Sequence, residues 1–168
     1  MKSFRYLLQA RFLLTAALML IAASSYSTAR GQSPPNIEVD AKLSMDRVKR
    51  GRTVQGTVTM NIPSGYHVNS NRPLEKFLIA TQVQLAGAGG VRAVRINYPR
   101  AVIRSLKFSK NKVAVFEGRT TINFAVTVPA TFSGDSVELK GRLRYQSCSD
   151  DVCFPPRNHD FTLWLKIE

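Results

Sequence analysis

Apolar and polar side chains alternate with a period of two along most of the chain beyond residue 36. This alternation is typical of β-strands that bury one face, whereas amphipathic helices repeat every 3.6 residues. The sharpest example is the segment in which Ile122, Phe124, Val126 and Val128 alternate with other residues. The other segments with extended or alternating character start at Ile37, Val54, Tyr66, Ile79, Val94, Val113, Val137 and Phe161. The pattern therefore predicts an all-β fold.

Turn-forming residues separate these segments, and glycine or proline occurs in most of the gaps. Short strands at close spacing, with hardly a helix candidate, predict an antiparallel β-sandwich of the immunoglobulin-like class. No cysteine pair has the inter-sheet spacing of an antibody domain, so that subtype is excluded. Residues 100–112 mix bulky apolar side chains with lysines and arginines and lack a clear period. We expect a long loop there.

The N-terminal segment has the three parts of a secretory signal. Three basic residues, Lys2, Arg5 and Arg11, precede an apolar run over residues 12–23, and small residues lead up to Ala29. The run is shorter than the roughly 20 residues that span a membrane, and no other run of that length follows. We therefore expect a signal peptide over residues 1–29 and a soluble mature protein without a transmembrane segment.

Residues 30–36 contain Gly31, Pro34 and Pro35, which predict a short linker before a domain over residues 37–168. The formal net charge of +13 falls to +10 when the three basic residues of the predicted leader are removed. Such a charge raises nucleic acid as a partner, but export argues against it. The basic residues are scattered and favour a solvated face, with attraction to an anionic surface or an acidic partner as the alternative.

The two cysteines, Cys148 and Cys153, lie close together near the C-terminus, and disulfides persist in exported proteins. A disulfide between them would close a short ring, which stabilises a fold by about 2 kcal/mol. This small contribution favours a chemical function of the pair over a stabilising one. We expect the pair at the tip of a hairpin between the last two strands, stiffened by the prolines that follow. Asp150 and Asp151 oppose thiolate formation, so the pair suits a disulfide that a docked partner attacks.

Two other interpretations of the cysteines stay open. One is a structural disulfide that shapes a loop of a non-enzymatic binding or adhesion protein. The other is a zinc or copper site in which Cys148 and Cys153 are joined by His159 and by His67 as a fourth ligand. The ligand spacing is not that of a standard zinc finger, and both histidines are more typical of surface or turn residues.

The segment Tyr145-Gln146-Ser147-Cys148, continuing to Cys153-Phe154-Pro155-Pro156, resembles the active-site hairpin of a known family. That family is the N-terminal periplasmic domain of the thiol:disulfide interchange protein DsbD. The similarity extends to Gly65-Tyr66-His67, to Tyr98-Pro99 and to the predicted strand order, and so covers about residues 37–168.

The resemblance implies that Cys148 and Cys153 are the redox pair, that Phe108 is the aromatic residue of a cap loop, and that Tyr66 and Tyr145 line the site. It also implies an immunoglobulin-like sandwich without a cofactor, acting as a component of a thiol:disulfide oxidoreductase system in the periplasm or otherwise outside the cytoplasm. Electrons would come from a membrane-embedded or thioredoxin-like donor and pass to exported thioredoxin-fold proteins.

The chain differs from the family pattern in three ways. Four residues rather than five separate the cysteines. Leu106 and Lys107 precede the cap aromatic, where the family has acidic residues. The sequence ends at Glu168, without the membrane and thioredoxin-like domains, so we expect electrons to arrive in trans.

Overall fold

The regular structure of residues 33–168, which are the residues that the computed structural model describes, consists of β-strands. The predicted signal peptide and the start of the predicted linker lie outside these residues. Residues 34–168 form one compact unit. The strands are β1 Glu38–Leu43, β2 Arg47–Val48, β3 Thr53–Asn61, β4 His67–Asn69, β5 Gln82–Gly87, β6 Arg92–Asn97, β7 Val102–Arg104, β8 Val113–Phe116, β9 Arg119–Thr127, β10 Ser136–Tyr145, β11 Ser147–Cys148 and β12 Arg157–Ile167. Within the described range, no helix is long and apolar enough to cross a membrane.

The strands form two sheets, a large one in the order β1-β3-β9-β6-β5-β10-β12-β2 and a small one in the order β11-β4-β8-β7. Neighbouring strands are antiparallel except β2 and β12, which pair in parallel. One hydrophobic core takes side chains from both sheets, including Val68 of β4 and Phe124 of β9. The predicted all-β, immunoglobulin-like sandwich is confirmed.

The alternation in the sequence becomes the buried face of each long strand. Val58 and Met60 of β3 are completely buried, as are Ile122 and Val126 of β9, which pairs with β3 along its full length. Burial of one such side chain contributes about 1.5–3 kcal/mol to folding. The long strands β3, β9 and β10 therefore supply many of the core side chains, and neither cysteine belongs to this core.

Two local predictions differ from the structure. A β-bulge in β6 between Ala93 and Arg95 leaves Val94 54% exposed, although its position in the alternation placed it with the buried residues. The predicted loop over residues 100–112 also contains β7, which pairs with β8 at the edge of the small sheet. All three β7 residues are exposed, so no buried stripe marked this strand in the sequence.

Candidate redox site

Cys148 and Cys153 form a disulfide next to a two-residue turn. The N–H of Ser149 donates to the carbonyl of Val152 at 2.8 Å, and the N–H of Phe154 donates to the carbonyl of Ser147 at 2.9 Å. These bonds lie on either side of the cysteine pair, which is therefore a non-hydrogen-bonded pair, the closer type in antiparallel strands. The two Cα atoms are 3.9 Å apart and the sulfurs are bonded at 2.02 Å.

The hairpin lies between the last two long strands, β10 and β12, and its strand β11 belongs to the small sheet. β10 ends at Tyr145, and β11 then pairs with β4, so that Cys148 lies opposite His67. The chain returns to the large sheet at β12. This change of sheet buries Cys148 completely, whereas Cys153 is half-buried. The two sulfurs therefore differ in their access to a partner.

Gln146, at the point where the chain changes sheet, is held by hydrogen bonds at both ends of its amide. Its Oε1 accepts from the N–H of Ile79 at 2.9 Å and from Nδ2 of Asn69 at 2.9 Å, and its Nε2 donates to the carbonyl of Phe154 at 3.1 Å. Gln146 belongs to the motif around Cys148, but nothing in the sequence indicated a function for it. The structure makes it the polar link between the hairpin, β4 and the segment before β5.

Asn69 is a site residue that the sequence analysis missed. It is completely buried, and its Nδ2 donates to the carbonyl of Ile79 at 3.2 Å and to Gln146. Its Oδ1 lies 4.0 Å from Sγ of Cys148. The signal in the sequence was weak: a polar residue two positions after His67 on a short strand.

His67 lies beside Cys148 and is 3% exposed. Its Nε2 is buried and has no hydrogen-bond partner among the described residues. Burial lowers the pKa of His67 below its ordinary value, against the opposing effects of Asp150 and Glu117 and in line with the smaller effect of Arg104. The imidazole is therefore held neutral next to the disulfide.

Phe108, the predicted cap residue, contacts His67. Its ring stacks on that of His67, with centroids 6.1 Å apart and an interplanar angle of 21°. Phe108, Leu106 and Cys153 also pack against a small cluster of buried side chains, separate from the main core: Leu78, Val113 and Val115. We call residues 105–112 the lid segment.

Lys107 ties the lid segment to the tip of the hairpin. Its N–H donates to the carbonyl of Asp150 at 2.9 Å, and its Nζ forms an ion pair with Oδ1 of Asp151 at 3.0 Å. At its other end the lid segment is attached through Asn111, whose Nδ2 donates to Oε1 of Glu75 at 2.7 Å. Asp150 and Asp151 thus lie on the hairpin, and Lys107 lies on the lid segment.

The remaining predicted residues, Tyr66, Tyr145 and His159, have other partners. The ring of Tyr66 contacts that of Phe154 at 6.2 Å between centroids, while Tyr145 is buried in the main core. His159 lies on β12 opposite Leu143. No group of three or more potential metal ligands occurs within residues 33–168, and both cysteines are bound to each other.

Two solved structures are compared with this fold. The N-terminal periplasmic domain of ScsB from Proteus mirabilis is similar with a TM-score of 0.51 and 15% identity, over 83% of this chain and 50% of that chain. The reduced N-terminal domain of DsbD from Neisseria meningitidis gives a TM-score of 0.49 and 17% identity, over 76% of this chain and 85% of that chain. At such identities the likeness concerns the fold alone.

No curated protein sequence matches the chain. The family model described as "Thiol:disulfide interchange protein DsbD, N-terminal" matches residues 36–164, which include the whole hairpin and the lid segment. The chain belongs to the family of the N-terminal domain of the thiol:disulfide interchange protein DsbD.

Proposed function

We propose that this protein relays reducing equivalents outside the cytoplasm by thiol–disulfide exchange at Cys148–Cys153. The observation that carries the proposal is a disulfide between one completely buried and one half-buried cysteine. Phe108, which stacks on His67, packs against the same small cluster of buried side chains as Cys153. A bond that only shaped a loop would need neither the asymmetry nor the lid, and its ring is too short to stabilise the fold by much.

The exchange begins at the half-buried sulfur. A donor thiolate attacks Sγ of Cys153, the bond between the two cysteines breaks, and Sγ of Cys148 leaves with the electron pair and takes up a proton. The donor's second thiol, once deprotonated, then attacks the donor's first sulfur, which is bonded to Sγ of Cys153 in the mixed disulfide. The donor leaves as a disulfide, and Cys153 is released as a thiol, so that two electrons have been transferred to the pair.

Delivery to an acceptor reverses this order. The thiolate of Cys153 attacks the acceptor's disulfide, and one acceptor sulfur leaves and is protonated. Cys148, deprotonated, then attacks Sγ of Cys153, which restores the original disulfide and releases the acceptor as a dithiol. Exported proteins with a thioredoxin fold suit both partner functions, because they present one exposed reactive sulfur and keep a second one close behind it.

The donor acts in trans in this proposal, as a membrane-embedded or thioredoxin-like protein. The N-terminal pattern of basic, apolar and small residues supports a periplasmic location, or another one outside the cytoplasm. The proposed cap function of Phe108 rests on its stack against His67 and its packing with Cys153 on one cluster. A docking partner must move this side chain to reach the sulfur.

The difference between the two sulfurs gives a direct test with a matched pair of variants. Cys148→Ala leaves the half-buried sulfur, and Cys153→Ala leaves the buried one. Each remaining thiol is activated with 5,5'-dithiobis(2-nitrobenzoate), which leaves it as a mixed disulfide with 5-thio-2-nitrobenzoate, and reduced thioredoxin carrying a single active-site cysteine is added. We expect the Cys148→Ala variant to form the mixed disulfide at least tenfold faster.

Failure of both variants to react would overturn the proposed exchange. Equal rates would contradict the assignment of Cys153 as the attacked sulfur. The reduction potential of the unmodified pair separates the relay from a structural bond, because structural disulfides lie below about −300 mV. We expect a more oxidising value here.

A further inference from the structure

We propose that Asn69 tunes the redox pair by accepting a hydrogen bond from the Cys148 thiol in the reduced protein, which makes the dithiol easier to form. Asn69 is then a positioning residue that acts on the state of Cys148 rather than on a partner. The inference rests on the proposed function for its biological meaning, because it matters only if the pair cycles.

The orientation of the Asn69 amide is determined by backbone groups. The N–H of Ile79 can only donate, so the atom of Gln146 that faces it is the acceptor Oε1. The carbonyl of Ile79 and this Oε1 can only accept, so the atom of Asn69 that faces both is Nδ2. A rotated amide would place an acceptor against two acceptors. Oδ1 must therefore point towards Cys148.

In the oxidised protein this oxygen faces a sulfur that has nothing to donate. The 4.0 Å separation between Oδ1 and Sγ of Cys148 is a contact, since a disulfide sulfur carries no proton. Both residues are completely buried. Buried acceptors are normally satisfied, and leaving one without a donor costs free energy.

Reduction supplies the missing donor. Once the disulfide is cleaved, Sγ of Cys148 carries a proton and is free to turn about the Cα–Cβ bond towards Oδ1. The hydrogen bond exists in the dithiol and is absent in the disulfide, so it shifts the equilibrium towards the reduced form. It also disfavours a thiolate at Cys148, because a carbonyl oxygen repels negative charge. Cys153 is left as the sulfur that more readily becomes a nucleophile.

The test is the equilibrium constant of the pair with glutathione, measured for the unmodified chain and for Asn69→Leu. We expect the variant to be three- to tenfold harder to reduce, and a tenfold change corresponds to about 30 mV for this two-electron couple. A general loss of stability affects both redox forms and cancels in this quantity. An unchanged or more oxidising potential in Asn69→Leu would overturn the inference.

Thr81→Val is the matched control. The buried hydroxyl of Thr81 donates to the backbone carbonyl of Asn69, so the variant removes a neighbouring hydrogen bond without changing the group that faces the sulfur. We expect its potential to equal that of the unmodified chain. An equal shift in Thr81→Val and Asn69→Leu would assign the effect to packing and contradict the inference.

Asn69→Leu leaves partners of Nδ2 unsatisfied and so risks misfolding. A second measurement therefore keeps residue 69 unchanged. In Cys153→Ala the buried thiol of Cys148 remains, and its S–H stretching band in the infrared falls to lower frequency when it donates a hydrogen bond. A band at the frequency of a free thiol would overturn the inference. Neither measurement involves a thioredoxin-fold partner, so its failure is distinguishable from failure of the relay.

Discussion

His67 is a titratable side chain buried beside the disulfide, and its surroundings favour the neutral form. The cost of desolvation outweighs the attraction of Asp150 and Glu117. Glu117 is itself engaged by Arg104 through two contacts of 2.8 and 2.6 Å, which lowers the pKa of its carboxyl group. Acidification therefore forces a charge onto an imidazole that has no partner for its Nε2 within the described residues.

This environment predicts a loss of stability in mild acid. The pKa of His67 lies below 6.5 in the folded chain, so below pH 6.5 the unfolded chain binds more protons. The contribution of His67 is complete above that pH and is lost as the pH falls towards the lowered pKa. We expect the free energy of unfolding, measured in urea from about pH 8 to about pH 5, to fall less steeply in His67→Phe.

His159→Gln is the control for this prediction, because it removes a histidine that is half-buried on β12. It should keep the pH dependence of the unmodified chain. The same slope in His67→Phe as in the unmodified chain would contradict the interpretation of His67. The phenylalanine also preserves an aromatic ring against Phe108, which limits the change in packing.

The residues that surround the sulfurs were only partly predictable from the sequence. Cys148 and Cys153 were evident because they are the two cysteines of the chain and lie close together. Asn69 and Gln146 were not, because the hydrogen bond between them joins residues 77 positions apart. A polar side chain on a short strand is ordinary until the fold brings a specific partner to it.

Lys107 joins the lid segment to the hairpin, and the loss of this residue should make the lid segment open more often. Both side chains of the ion pair are exposed, so water screens their attraction and the pair holds the lid segment only weakly. We expect Lys107→Ala to raise the rate of disulfide reduction by dithiothreitol about two- to fivefold, because a looser lid exposes Cys153 more often. Stopped-flow or quenched thiol labelling measures this rate.

Lys110→Ala, in the same segment, is the control and should react at the unmodified rate. A rate in Lys107→Ala that is unchanged, or lower, would contradict the attachment of the lid through this residue. A similar increase in both lysine variants would point to net charge as the cause. Repeating the measurement in high salt gives a further check, since screening should remove most of the difference.

Gly56 allows β1, β3 and β9 to pack closely. A Cβ there would overlap the ring of Phe124, its partner on β9, and would lie 2.9 Å from the carbonyl of Lys42. Phe124 is 1% exposed and has no room to move. We expect Gly56→Ala to lower the free energy of unfolding by about 1–3 kcal/mol. The exposed neighbour Gln55→Ala should change it by less than about 0.5 kcal/mol.

Urea unfolding followed by tryptophan fluorescence measures both values. A neutral Gly56→Ala would mean that the sheet can separate locally without cost, contrary to its packing.

The long strands were predictable because one face of each is apolar throughout. β7 and the bulge in β6 were not, since an exposed edge strand leaves no apolar stripe and a bulge shifts the alternation by one residue.

We expect the fold as a whole to depend little on its disulfide. The main core lies between the two sheets and includes neither cysteine. A ring of six residues constrains the unfolded chain by about 2 kcal/mol in the loop-entropy estimate. We expect the dithiol form to stay folded, with an unfolding free energy lower by about that amount.

Denaturation of the oxidised and reduced chains in parallel tests this expectation. The double variant Cys148→Ala/Cys153→Ala should resemble the reduced form, apart from the loss of the two thiols. A reduced chain that is unfolded at room temperature would contradict the separation between core and redox pair. It would also exclude a relay, which has to remain folded in both states.

The turn that joins the cysteines has a kinetic consequence. Backbone hydrogen bonds lie on both sides of the pair, so we expect them to keep the Cα atoms of the two cysteines close after the disulfide has opened. Intramolecular reactions in such geometry reach effective molarities of about 10⁵ M or more. We expect Cys148 to displace a partner linked to Cys153 faster than a free thiol would. Covalent complexes of the unmodified chain should therefore be short-lived, and the time for which a partner stays docked should govern the turnover of the pair.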